Sequence, residues 1–328
     1  MRAIRFLLLG CGAALLAVLV VRIGPAAVLS SFSQLSWRLL LVLCFPFSLM
    51  MLFDTLGWRF AFRRDLVPFP ALLSARLAGE AFNLTTPTAS VGGEAVKAWL
   101  LRPHVPLDDS VPSVIIAKTT ITIAQGAFLL LGIACALSTL QPGLPLVRGM
   151  EWLLAVEIIA VSGFVLVQVG GVMGGVSRVL NRLGLPWASE RSEALRRLDG
   201  VLLSFYQREP RRLFLSIACH FVGWALGALE TYLILRFLGV PVPLVTAAVI
   251  EAFGTAVRFA TFFVPASLGV LEGGQVAAFV ALGLGATPGI SFSLVRRVRE
   301  VAWVGIGLIA LAAMRPASRL PAGREREG

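Results

Sequence analysis

Gly92-Gly93-Glu94, Lys97 and Lys118 form the first group of residues in this chain with the chemistry of a binding site. A Gly-Gly pair that follows a polar turn and opens a helix leaves backbone N–H groups, and the positive end of the helix dipole, pointing into whatever cavity lies there. That arrangement binds anions. Lys97 and Lys118 add positive charge, and they are the only lysines among 29 basic residues, which marks lysine as a specific choice at these two positions. The alternative reading is that the glycines only allow close helix packing while Lys118 snorkels to an interface. Upstream, Asn83 and Pro87 belong to the same polar break; Asn83 suits hydrogen bonding to broken backbone better than contact with a ligand.

A second group comprises Glu251, Pro265, Ser267, Gly269 and Glu272, followed by Arg296, Arg299 and Glu300. Arg296 and Glu300 are i,i+4 partners, and Arg296 and Arg299 share a helix face on which planar guanidinium forks would hold a lipid phosphate. Alternatively, these arginines form a structural ion network with Glu272 or Glu251. Catalysis is poorly supplied. His104 and His220 are the only two histidines, neither sits in a Ser/Asp constellation, and no P-loop, dinucleotide fingerprint or HExxH occurs. The four cysteines, Cys11, Cys44, Cys135 and Cys219, show no paired spacing, so neither a disulfide framework nor zinc is indicated. The expectation is a protein that is not an enzyme and has no metal and no cofactor. Of the remaining polar residues in apolar runs, Asp54, Glu157, Glu230 and Arg258 pair with one another or sit at interfaces. Asp108, Asp109 and Ser110 are read as capping the helix that follows, with Pro112 in its first turn.

The elements that must position these residues are set by composition. The chain has 328 residues, 57% hydrophobic and 14% charged, with a mean hydropathy of +0.86, which identifies an integral membrane protein. Apolar runs at 6–21, 39–57, 110–137, 152–169, 213–238 and 288–314 are each long enough to cross about 30 Å of hydrocarbon as a helix. Two more, 71–102 and 244–285, are interrupted by Pro and Gly and suit broken helices. The net charge of +11 comes from arginines at the ends of apolar runs, where they set orientation and meet anionic headgroups, so nucleic acid is not the expected partner.

Basic residues in the short connections place both termini, 59–64 and the 172–212 loop in the cytoplasm. Two stretches of that loop, 176–185 and 194–206, read as amphipathic helices on the anionic inner leaflet. Between the two inner anchors, 71–102 must then enter and leave from the inside, and 244–285 from the outside. The two broken segments also match in detail. Each begins Glu-Ala-Phe, at Glu80 and at Glu251. Pro87 to Glu94 and Pro265 to Glu272 both span seven positions, and Glu94 to Lys118 and Glu272 to Arg296 both span 24.

The expected fold is therefore an all-α polytopic membrane protein of two inverted-topology repeats with re-entrant broken helices, about six full spans and two re-entrant segments. It forms a single transmembrane domain over 1–328, with repeat 1 at 39–138, a connecting span and basic loop at 139–212, and repeat 2 at 213–314. Lys118 and Arg296 are each placed eight residues, about 12 Å, into their helices from opposite faces.

The pattern Asn83-x-x-x-Pro87-x-x-x-x-Gly92-Gly93-Glu94 with Lys118, followed by Pro265-x-Ser267-x-Gly269-Val270-x-Glu272-Gly273-Gly274 and Arg296-Arg297-x-Arg299-Glu300, resembles the membrane domain of the lysylphosphatidylglycerol synthase/flippase family. Within it, the chain looks most like the stand-alone proteins associated with hopanoid biosynthesis, over about 39–314. The resemblance implies movement of a lipid between leaflets of the inner membrane. The chain ends at Gly328 without a soluble aminoacyl-transferase domain, so lysyl-lipid synthesis is not expected. The implied partner is a membrane phospholipid or hopanoid-type lipid, with lipid-synthesis enzymes as possible associates. The alternatives are a membrane-embedded lipid-modifying phosphatase or transferase and a non-catalytic scaffold of a lipid-synthesis complex. In the transport reading, the Gly92 to Glu94 helix start, Lys97, Lys118 and the Arg296/Arg299 face share one phosphate between the repeats, with Glu94 and Glu272 as switching groups.

Overall fold

A computed structural model describes residues 37–85, 92–139, 145–169, 192–262 and 264–314, with isolated positions before 37. The expected first span at 6–21, the 22–36 connection, Pro87, the 176–185 stretch and the basic tail after 314 lie outside the described residues. The helices are Arg38–Cys44 (α1), Phe47–Phe60 (α2), Phe69–Thr85 (α3), Gly92–Leu100 (α4), Leu107–Thr139 (α5), Pro145–Val169 (α6), Ser192–Arg208 (α7), Pro210–Phe237 (α8), Leu244–Ala260 (α9), Val270–Ala281 (α10) and Ala286–Ala313 (α11), with a 3-10 turn at Pro265–Ser267. Among the described residues there is no strand. Helices satisfy their own backbone groups, which is what hydrocarbon demands.

Four of these elements are long and apolar enough to cross a membrane: Arg38–Phe60, Leu107–Thr139, Pro145–Leu166 and Pro210–Phe237. The expected span at 288–314 is present as α11, a helix of 28 residues or about 42 Å. Its interior charges Arg296, Arg297, Arg299 and Glu300 set it apart from the other four. The interrupted segments resolve into shorter helices: α3 and α4 for the first, and α9, the 3-10 turn and α10 for the second. At 9 residues α4 is too short to cross about 30 Å by itself.

Boundaries moved outward from the sequence expectation. Leu107 starts α5, so Pro112 falls in its second turn, not its first. Lys118 is then 11 residues into α5 (118 minus 107), and Arg296 is 10 residues into α11 (296 minus 286), each about 15–17 Å along the helix. The extra turn appears because Asp109 and Ser110 amides both bond the Pro106 carbonyl, starting the helix before the apolar run begins.

Three apolar clusters hold the bundle. One gathers Trp58, Leu72, Leu101 and Ile116 from the first half of the chain, another Ile234, Phe279, Phe292 and Val295 from the second, and a third joins them through Phe128, Met150, Val249 and Ala252. Leu202 and Phe205 of α7 are fully buried in the first cluster. The apolar face of this amphipathic helix therefore packs on the bundle, and its exposed face carries Arg196, Arg197 and Arg208.

Packing between the halves is crossed: α3 lies chiefly on α11, and α9 on α5. Both contacts use the same device. A Cβ on Gly132 of α5 would stand 2.3 Å from the Ala252 Cβ, and one on Gly307 of α11 would stand 2.7 Å from the Ala81 Cβ. Ala81 and Ala252 are the alanines of the two Glu-Ala-Phe triplets, so each triplet seats its alanine in a glycine notch on the other half's long helix. Between them α2 and α8 run antiparallel, with Arg212 reaching the Arg59 carbonyl at 3.2 Å and Ser216 the Gly57 carbonyl at 2.8 Å.

Candidate functional site

The first cluster is built where α3 and α4 cross. The crossing is close because two glycines face one another: a Cβ on Gly93 would stand 2.1 Å from the Gly79 carbonyl oxygen. The close-packing reading of Gly93 is thus realised. Its amide is also committed, donating to Asn83 Oδ1 at 2.7 Å, which gives Asn83 the backbone-satisfying role expected of it. Lys97 is buried and donates to Glu80 Oε1 at 2.8 Å and to Glu94 Oε1 at 3.1 Å. Arg76, also buried, bonds Asp54 Oδ2 at 2.8 Å and lies 3.9 Å from Glu80. On its other oxygen, Asp54 meets His220 Nδ1 at 2.9 Å.

Lys118 differs from these. Its side chain is exposed, and among the described residues its ammonium makes no ion pair or hydrogen bond. It stands at the wall of a cavity of about 30 Å³, together with Trp58, Arg76, Glu80, Glu94 and Lys97. That is room for about two water molecules.

The second cluster joins α8, α9, α10 and α11. Arg296 forks onto Glu251, with Nη1 to Oε2 at 2.7 Å and Nη2 to Oε1 at 3.0 Å. Thr231 donates to the same carboxylate at 2.7 Å. Arg299 is buried against Glu230 and stacks 4.2 Å above the Phe47 ring. Arg297 bridges Glu272, from Nε at 2.5 Å, to Glu300, from Nη1 at 2.7 Å, and Arg258 binds Glu300 at 2.6 Å. Glu272 also accepts the Gly269 amide at 2.7 Å, closing the start of α10. Ser267 is tied to Thr261 at 3.0 Å, next to Ala266 at φ 52°, a conformation non-glycine residues rarely hold. Glu272, Arg296, Arg297, Glu300 and Arg258 line a cavity of about 10 Å³, too small for more than one water.

The structure therefore realises the ion-network reading of the arginines. Glu300 pairs with Arg297 and Arg258, not with its i,i+4 neighbour Arg296, and the Arg296/Arg299 face is neutralised by Glu251 and Glu230. Glu94 and Glu272 line different cavities, so the single phosphate site joining Lys118 to Arg296 and Arg299 is not formed in this arrangement. Arg297 bridges the second cluster, although the 24-residue spacing singles out its neighbour Arg296. Arg76, Glu80 and Asp54 were also missed as site residues. The available signal was an i,i+4 charge pair, Arg76 and Glu80, inside an apolar stretch. Of the four polar residues left open, Asp54, Glu230 and Arg258 are paired, and Glu157 is not.

Outside the membrane-crossing segments, the loop after α2 is fastened to the start of α8. Arg212 binds Asp65 at 2.6 Å and Arg59 binds it at 3.1 Å. The Arg212 hydrogen bond, aided by Arg59, holds the Asp65 carboxyl below the usual carboxylate range.

No curated protein and no solved structure matches the chain. A family model described as "Lysylphosphatidylglycerol synthase TM region" matches residues 3–308. The chain is a multi-pass membrane protein that belongs to the lysylphosphatidylglycerol synthase transmembrane-region family.

Proposed function

We propose that this protein is a lipid flippase that moves a lipid with an anionic, phosphate-bearing headgroup, hopanoid-related lipids included, between leaflets of the inner membrane. The observation that carries the reading is Lys118: an exposed cation with no hydrogen bond or ion pair among the described residues, at the wall of a cavity whose other basic groups are already bound to carboxylates. Elsewhere in both clusters each basic side chain is spent on a carboxylate, so Lys118 is the group with charge to offer a phosphate. The two halves are inverted copies with cytoplasmic termini, α3–α4 entering from the inside and α9–α10 from the outside. The crossed glycine notches support this, since each copy grips the other's long helix by the same contact. Cavities this small make the present arrangement a closed one, and a headgroup enters when the halves rock apart.

Purified protein in liposomes with a fluorescent anionic lipid tests the reading by the fraction of label that an impermeant quencher can reach. Accelerated exchange of chemically unchanged lipid supports transport. An altered lipid would make the chain an enzyme, and neither effect would leave the scaffold. Lys118→Ala should slow exchange about tenfold or more, the loss expected when one charge-assisted contact of about 1.5–3 kcal/mol is removed.

A further inference from the structure

Among the described acids on the membrane-crossing helices, Glu157 is the buried one without a partner. It is 1% exposed, and neither carboxyl oxygen has a hydrogen bond. Around it α6 turns large apolar residues outward, including Val156, Ile158 and Ile159. Glu157 points the other way, onto α5 at Gly126, where a Cβ would stand 3.8 Å from its Cδ and Oε1. The glycine leaves the carboxyl room and supplies no donor.

Among the described residues no charged neighbour compensates it. On α5 the next charge is Lys118, eight residues or about 12 Å from Gly126. On α9, Glu251 is held by Arg296, and Arg258 by Glu300; on α10, Glu272 is held by Arg297. On α7, Glu193 pairs with Arg197 and Tyr206 donates to Thr119. An ionised carboxylate that is buried with neither a counter-ion nor a hydrogen bond is far more costly than its neutral form, so such a group takes up a proton.

We propose that Glu157 is a proton-binding site, holding one proton while α6 lies on α5 and releasing it to water when the two helices part. In a flippase this would be the coupling site for a proton gradient. The first cluster sets Arg76, Lys97 and Lys118 against Asp54, Glu80 and Glu94, three charges of each sign, so a bound phosphate adds a negative charge that a proton offsets. The coupling clause rests on the proposed function; the proton site does not.

The test uses the full chain in phosphatidylethanolamine/phosphatidylglycerol liposomes treated with dicyclohexylcarbodiimide, which adds to protonated carboxyl groups in apolar surroundings. Mass spectrometry should find a stable adduct at Glu157, absent in Glu157→Gln, forming more slowly at pH 9 than at pH 6. No adduct at Glu157, or a rate independent of pH, overturns the site. Glu157→Gln copies the neutral form and should melt with the parent; a large loss of stability would mean that the carboxylate is ionised and paired, and would also overturn it. With fluorescent anionic lipid in the same liposomes, an acid-outside gradient should change the exchange rate of the parent and not of Glu157→Gln. If Glu157 is labelled and no lipid is exchanged, the proton site stands and the flippase reading falls.

Discussion

Two kinds of charge share these clusters, and they should respond to mutation in opposite ways. Arg296 and Glu251 are bound to each other in the interior, so removing Arg296 strands Glu251, and removing Glu251 leaves Arg296 only the Glu230 carboxylate at 3.7 Å. Arg296→Ala or Glu251→Ala should cost about 3–5 kcal/mol, read as a lower melting temperature in detergent. Replacing both by apolar residues of similar size, Arg296→Met with Glu251→Leu, should restore much of that loss. Lys118 makes no hydrogen bond or ion pair among the described residues, so Lys118→Ala should leave stability within about 0.5 kcal/mol while slowing lipid exchange. A Lys118→Ala variant that melts early would show that the ammonium is structural and would remove it from the site. The sequence made the residue types legible and left their pairing open. A helix turns 100° per residue, so Arg296 and Arg297 point to different neighbours, and nothing in a 24-residue spacing says which one meets Glu272.

Among the elements, the broken helices and the long ones were readable because hydropathy, Pro and Gly act locally. The crossed contact was not, since Gly132 and Gly307 look like any other glycines in apolar helices until Ala252 and Ala81 are seen in their notches. A methyl group at either glycine meets a neighbour at 2.3 or 2.4 Å, and one of those neighbours is the Leu77 carbonyl, which cannot rotate away. Gly132→Ala and Gly307→Ala should therefore each destabilise by about 1–3 kcal/mol, with Gly163→Ala, where nothing among the described residues lies within 4 Å, as the neutral control. Gly307→Ala should cost the more of the two, because its added methyl meets the fixed Leu77 carbonyl as well as Ala81. The tie between α2 and α8 at Asp65 adds a pH effect. Its carboxyl is lowered in the folded protein, so the tie contributes above the ordinary carboxylate range near pH 4 and is lost as pH falls through the lowered value. Because the Asp65 side chain is 42% exposed, solvent screening limits the contribution to about 0.5–1 kcal/mol. Asp65→Asn should melt slightly below the parent at pH 7, and the difference should close under acid.

For the whole molecule the open matter is sidedness. Helices α3–α4 and α9–α10 each end a polar break with a glutamate in the first turn of a short helix, at Glu94 and Glu272. Each grips a basic residue, Lys97 in one case and Arg297 in the other. If the copies are inverted, the two small cavities open toward opposite leaflets, and a lipid passes one before the other. Lys118 and Arg258 report on them separately, since Lys118 is exposed at the first cavity and the Arg258 side chain is 36% exposed at the second. In a background with Cys11, Cys44, Cys135 and Cys219 replaced, Lys118→Cys should react with an impermeant maleimide only from the cytoplasmic face of sealed vesicles. Arg258→Cys should react only from the other face. Reaction of both from one side would mean that the halves share an orientation; rocking about α2 and α8 could not then present a bound headgroup to the two leaflets in turn. Opposite reactivity that exchanges when an anionic lipid is added would tie the motion to substrate, because a ligand shifts a two-state equilibrium only by binding one state more tightly than the other.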